Sequence, residues 1–167
     1  TVTQLLKAIG DFERISDHSV NVLDSAEELR DKNIQLSENA VKELEVLCSA
    51  VSEILTLSYK AFTQNDLYAA RDVEPLEQVV DSLRTNLRDA HIVRLKNGEC
   101  SIEAGFVWSD LLTNLERTAD HCSNIAACII DANEFNMNLH ESVRSMKKNN
   151  PYYEEKYSEY LKKYTIV

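Results

Sequence analysis

The chain has 167 residues but only three glycines and two prolines. Average usage would put about 20 such residues in this length, so a sheet protein that turns every ~10 residues is excluded and a few long helices are favoured. A composition of 44% hydrophobic residues with a net charge of −10 excludes disorder and disfavours nucleic-acid binding and adhesion to an anionic membrane surface.

Apolar residues recur at helical spacing along nearly the whole sequence. A first helix is predicted to turn Leu5, Ile9, Phe12, Leu23 and Ala26 inward and to fade near Arg30, ahead of the polar link Asp31-Lys32-Asn33. Ser37 caps the second helix, whose stripe is Val41, Leu44, Cys48, Val51, Leu55, Ser58 and Phe62. Asp66 caps the third, which turns Val73, Leu76, Val80, Leu83, Leu87 and Ala90 inward and runs to about Leu95. Pro75 is expected to kink it or to mark its true start. Asn97-Gly98 is the clearest break, and Ser101 caps the fourth helix with Leu111, Leu112, Leu115, Ala119, Cys122, Ala126 and Ile129 in its core face. Short links force antiparallel neighbours. Asn138 with Glu141 forms a capping box for a short helix ending at Asn149-Asn150-Pro151. A last helix carries Tyr153, Tyr157, Tyr160, Leu161 and Tyr164 along one side, either clamped onto the bundle or offering a peptide-docking surface. The fold class is therefore all-α, an antiparallel bundle of long helices with short C-terminal helices.

The four cysteines, Cys48, Cys100, Cys122 and Cys128, show no CxxC spacing. They read as reduced thiols of a cytosolic compartment, with Cys48, Cys122 and Cys128 as small apolar fillers in helices. The run free of Asp, Glu, Lys and Arg at the apolar centre, His121 to Ile130, falls far short of the ~20 residues of a membrane span. The start at Thr1, already helical and without a signal peptide, reads as a piece of something longer.

One segment occurs twice. Phe12-Glu13-Arg14-Ile15-Ser16-Asp17-His18-Ser19-Val20-Asn21-Val22 matches Leu115-Glu116-Arg117-Thr118-Ala119-Asp120-His121-Cys122-Ser123-Asn124-Ile125 at an offset of 103 residues. Glu, Arg, Asp, His and Asn coincide, and packing alone explains apolar matches, not polar identities. This ERxxDHxxN pattern resembles the PhoU family, all-α proteins of two three-helix repeats with an acidic ExxxD motif on their helices. The stretch from His91 to Ile125, with Arg94-Leu95, Gly98, Cys100 and Asn114-Leu115-Glu116-Arg117, is similar to the cytoplasmic PhoU-like domain of bacterial sodium/phosphate cotransporter-type proteins, as is the ending Tyr160-Leu161-Lys162-Lys163-Tyr164. The resemblance covers most of the chain. It implies that residues 1–31 are the last helix of one repeat, 37–132 a complete second repeat and 133–167 a C-terminal helical tail. It further implies a regulator at the cytoplasmic face of the bacterial inner membrane, partnered by the transmembrane part of its own polypeptide or by a phosphate transporter. A free-standing PhoU-type regulator of an ABC phosphate importer and a metal-free helical adaptor are the alternatives. A first helix short of its neighbours points to a homodimer.

Independently of family, the third and fourth helices form a hairpin about Asn97-Gly98. Glu77 and Asp120 then lie equally far from the turn, as do Asp81 and Glu116. Residues four apart share a helix face, so four carboxylates gather on one side and raise one another's pKa values. Either Arg84, Arg88 and Arg117 neutralise a solvated face, or a cation does. Hard oxygen ligands suit Mg, Mn, Ca or ferric iron. In the family these residues resemble, such motifs bind multinuclear iron or zinc, which makes Glu77, Asp81, Glu116 and Asp120 the candidate metal ligands, with Glu13 and Asp17 similar in kind. His18 and His121, next to the aspartates, point about 100° away from them and are expected to hydrogen-bond a neighbouring helix, with metal ligation and solvent exposure as alternatives. His91 is the candidate auxiliary ligand. Asn21 and Asn124 cap or bridge helices. The Glu-x-x-His pairs of di-iron bundles, HExxH, GxxxxGK[ST] and GxSxG are all absent, so catalysis is not expected.

Overall fold

The computed structural model describes residues 2–135 and 150–166. Its helices are α1 (Val2–Asp31), α2 (Glu38–Gln64), α3 (Leu67–Lys96), α4 (Ile102–Phe135) and α5 (Pro151–Lys163). Among the described residues there is no strand. The capping box at Asn138 and Glu141 lies outside them.

Each boundary has a local cause. The Ser37 hydroxyl accepts from the Ala40 N–H at 3.2 Å, the Asp66 carboxylate from the Tyr68 and Ala69 N–H groups, and the Ser101 hydroxyl from the Ala104 N–H at 3.0 Å. Asn33 and Asn65 take positive φ after α1 and α2, and Gly98 turns the α3–α4 hairpin at φ 70°. Asn150 caps α5, with Pro151 in its first turn. Pro75 neither starts nor ends α3: the helix runs through it, and its ring is buried.

Helices α2, α3 and α4 enclose the core, with Leu47, Ile54, Leu76, Leu87, Leu112 and Trp108 fully buried. The side-chain contacts of α2 with α4 run parallel, Ser58 to Cys122 and Asn65 to Asn133. Those of α3 with α4 run antiparallel, Glu74 to Ser123 and Leu87 to Trp108. At the hairpin end the chains approach so closely that a Cβ on Gly105 would stand 3.0 Å from His91 Nε2. The α5 helix lies on α3, tied by Tyr152 to Asp72 and by Tyr164 and Lys163 to Glu53 of α2. Tyr160 and Tyr164 are buried, so the tail clamps the bundle. Leu161, expected inward, is exposed.

The α4 and α3 stripes agree with the expected faces, except that Ala90 is half-buried. In α2 the buried face is rotated: Ala40, Leu47, Ala50, Val51, Ile54, Ser58 and Ala61 are buried, while Val41 and Cys48 are exposed. Cys48 is therefore no core filler. The first helix differs most. Leu5, Ile9, Leu23 and Ala26 are exposed, and Ala8, His18 and Ser25 are buried instead. The physical reason lies in the repeat. At the 103-residue offset Leu5, Ile9, Leu23 and Ala26 correspond to Trp108, Leu112, Ala126 and Ile129, the side of α4 that faces the α2–α3 core. The apolar pattern of α1 encodes the same face, but α1 packs on α4, and no helix pair equivalent to α2 and α3 covers it among the described residues.

Candidate functional site

The repeated motif splits its polar residues between two sides of its helix. On one side the two copies meet. His18 Nδ1–H donates to Asn114 Oδ1 at 2.8 Å, and the Asn21 amide donates to the same oxygen at 3.0 Å. Reciprocally, His121 Nδ1–H donates to Asp11 Oδ1 at 2.8 Å, joined by the Asn124 amide at 3.3 Å. Asp11 and Asn114 are themselves equivalent at the 103-residue offset. Each copy therefore sends His and Asn to the residue seven places before the other copy's His. The two imidazoles stack at the centre, ring centroids 5.5 Å apart. The arrangement is that of a self-complementary two-fold interface, built within one chain between antiparallel α1 and α4. Asn114 is held for its role by donating its own amide to the Asp110 carbonyl at 2.8 Å. His18, His121, Asn21 and Asn124 are thus inter-helix bridges.

On the other side lie the acids. Glu77 of α3 faces Asp120 of α4, and its carboxyl is pushed up to about 7, first by burial and then by the charges of Glu74 and Asp120, against a hydrogen bond from the Gln78 amide. The Glu116 carboxyl is also raised, by burial and by Asp120 and Asp81, with Arg84 and Arg117 opposing. All four expected carboxylates are therefore electrostatic neighbours, in the register set by the Glu74–Ser123 contact one turn away. Tyr153 of α5 borders the same patch: burial and the charges of Glu74 and Glu77 push its hydroxyl up to about 12.

A PhoU domain matches residues 44–129, more than half of the chain. The chain belongs to the PhoU domain family. Among curated relatives, it is 26% identical over 146 residues to a Thermotoga maritima protein named phosphate-specific transport system accessory protein PhoU homolog 1, covering 87% of this chain and 62% of that protein. It is 28% identical over 123 residues to an uncharacterized Deinococcus radiodurans protein, covering 73% of this chain and 44% of that one. The chain thus spans about half to three-fifths of the length of these relatives. No solved structure matches it at a significant level.

Within this PhoU domain the donor set can be weighed against a metal. Four carboxylates whose negative charge is only partly offset have the chemistry a hard cation wants. Their convergence is incomplete: among the described residues no group of three or more His, Cys, Asp and Glu side chains stands close enough to hold a metal ion. The other two expected acids, Glu13 and Asp17, are exposed on α1, which no acidic helix faces among the described residues, and Asp17 lies 3.9 Å from Arg14. Two expected helpers are elsewhere. Arg88 pairs with its neighbour Asp89 at 3.3 Å rather than with the patch. His91 stands three turns from Asp81, ~15 Å along α3. There it is buried against Trp108, with ring centroids 5.8 Å apart and Cys100 Sγ at 3.9 Å from Nδ1. Burial and the adjacent Arg94 lower its pKa; its distance from the acids, not its charge, makes it a packing group of the hairpin end rather than an auxiliary ligand of the patch.

Proposed function

We propose that this chain is a regulatory module of phosphate uptake that works through helix contacts with a phosphate transporter or its signalling proteins rather than by catalysis. The observation that carries it is membership of the PhoU domain family over residues 44–129. The similarity to an accessory protein of a phosphate-specific transport system favours a free-standing cytoplasmic accessory protein. A domain attached to a sodium/phosphate cotransporter-type protein is the second reading, favoured by the Arg94-to-Asp120 segment and the Tyr160–Tyr164 ending. Among the described residues no helix is long and apolar enough to cross a membrane, so in that reading the membrane part is a separate segment.

In either reading α1 is the last helix of a first repeat, and the open face bearing Leu5, Ile9 and Leu23 is where two further helices, or a second copy in a homodimer, belong. Glu77, Asp81, Glu116 and Asp120 accept a hard cation once their side chains turn inward. The absence of Cys and His from that group favours Mg, Mn, Ca or ferric iron over Zn.

The test is phosphate uptake and starvation-reporter expression in a strain lacking the gene, with and without the full coding sequence restored. The proposal expects both to be misregulated by the deletion and rescued by the gene, whereas unchanged uptake and reporter response would remove it. Several ~20-residue apolar spans encoded before Thr1 would select the transporter-attached reading, and a helical hairpin patterned like α2–α3 with no such span before it the free-standing one.

A further inference from the structure

The acidic patch continues along α4 into an apolar one. Ile102 and Phe106 recur as Glu116 and Asp120 fourteen residues later, two heptads on, so the four share one face of the helix. Ile102 is 75% exposed and Phe106 70% exposed. Gly105 packs against His91, so in the antiparallel hairpin Ile92 of α3, 42% exposed, stands at a height between Ile102 and Phe106. Single exposed apolar residues need no explanation, but a cluster on one rim does. The repeat does not demand it either: at the 103-residue offset Thr3 stands in place of Phe106. Between the apolar end and the acids, α3 places Arg84, which acts on Glu116, and Arg88.

We propose that this face of the α3–α4 hairpin docks an amphipathic helix of a partner protein, apolar at one end and basic at the other. The partner's apolar anchor covers Ile92, Ile102 and Phe106, and its Lys or Arg residues lie about fourteen residues, ~21 Å, away against Glu116, Asp120 and Glu77. Arg84 and Arg88 between them repel a positive charge placed next to the anchor, so the order of apolar and basic groups is read as well as their presence. A second copy of this chain is the poorer occupant of this face, because with 28 acidic against 18 basic residues it offers few Lys or Arg residues to the Glu77, Glu116 and Asp120 end. The inference rests on the contact-regulation reading above, but the assay below reads the surface alone, so its failure would leave the uptake test standing.

Two fluorescent 18-residue helical peptides serve as probes, with two leucines at the N-terminal end and lysines at the C-terminal end in one, and the reverse in the other. A control of the same composition has its lysines beside the leucines. In chelator at low salt, one of the pair should bind the full chain at least about tenfold more tightly than the control. Phe106→Ser alone, and Glu116→Gln with Asp120→Asn, should each weaken it about tenfold, only the second loss fading at high salt. Val20→Ser on exposed α1 should change nothing. Binding no tighter than the control, or unaltered by Phe106→Ser, would overturn the proposal.

Discussion

Asn114→Ala tests the joint between the two motif copies at its narrowest point. One oxygen accepts from both His18 and Asn21. His18 is only 8% exposed, so its Nδ1–H would be left in a place water does not easily reach, at a cost of about 1–3 kcal/mol. Asn21 is exposed, and its amide would find water, adding only a few tenths. The expected loss is about 2 kcal/mol, or roughly 4–8 °C in Tm for a chain of this size. Asn114→Asp keeps the acceptor and copies the Asp11 half of the joint, so it should stay within about 0.5 kcal/mol of the parent. Urea unfolding followed by circular dichroism measures both, and a cycle with His18→Ala should return a coupling of about 1 kcal/mol. An Asn114→Ala protein as stable as the parent, or an Asn114→Asp protein as damaged as the alanine variant, would refute the reciprocal arrangement.

Three further outcomes follow from other sites. Because Glu77 titrates near 7 in the folded chain and near 4.5 when unfolded, the folded state binds the extra proton between those values. Stability in chelated buffer therefore falls as pH rises through that window, by about 1–2 kcal/mol after allowing for solvent screening of a half-buried group. Glu77→Gln should flatten that slope, and a wild-type slope in the variant would contradict the assignment. Arg94 of α3 holds Glu43 of α2 bidentately at 2.8 and 2.9 Å and lies 5.7 Å from the Trp108 ring centre. Glu43→Ala should cost about 3 kcal/mol by stranding a buried charge, and Glu43→Leu with Arg94→Met should cost less than that, both read by urea melts. In thiol labelling, Cys48, exposed though its thiol is raised by partial burial and by Glu45, should react in the folded chain, and Cys122, whose burial pushes its thiol up to about 12, only on unfolding; equal rates would place α2 or α4 differently.

The bundle was legible because breakers and caps are local. Ser37, Asp66, Ser101 and Gly98 act on backbone groups within a few residues of themselves, and the hairpin register follows from the position of one turn. Partner-dependent features were not. The stripe on α1 records a face suited to burial, but periodicity cannot say whether the covering helices are at hand, and α1 buries Ala8 and His18 instead. The α2 stripe was misread by part of a turn because that helix meets both α3 and α4, which widens its apolar arc. His91 has a plausible rotation for the acidic side, but rise along the helix carries it to Trp108. The Asp11–Asn114 pair did leave a signal: it lies at the same 103-residue offset as the motif. Its members differ in chemistry, however, and a comparison of identities passes over them.

The account depends most on the two copies of the motif lying back to back, with imidazoles stacked on one side and carboxylates turned to the other. A nuclear Overhauser spectrum of the full chain with labelled histidines reads this directly. Cross-peaks between the ring protons of His18 and His121 are predicted from their 5.5 Å stacking, together with slowly exchanging Nδ1 protons on both. Two histidine rings without a mutual cross-peak, each exchanging as in free solution, would contradict it.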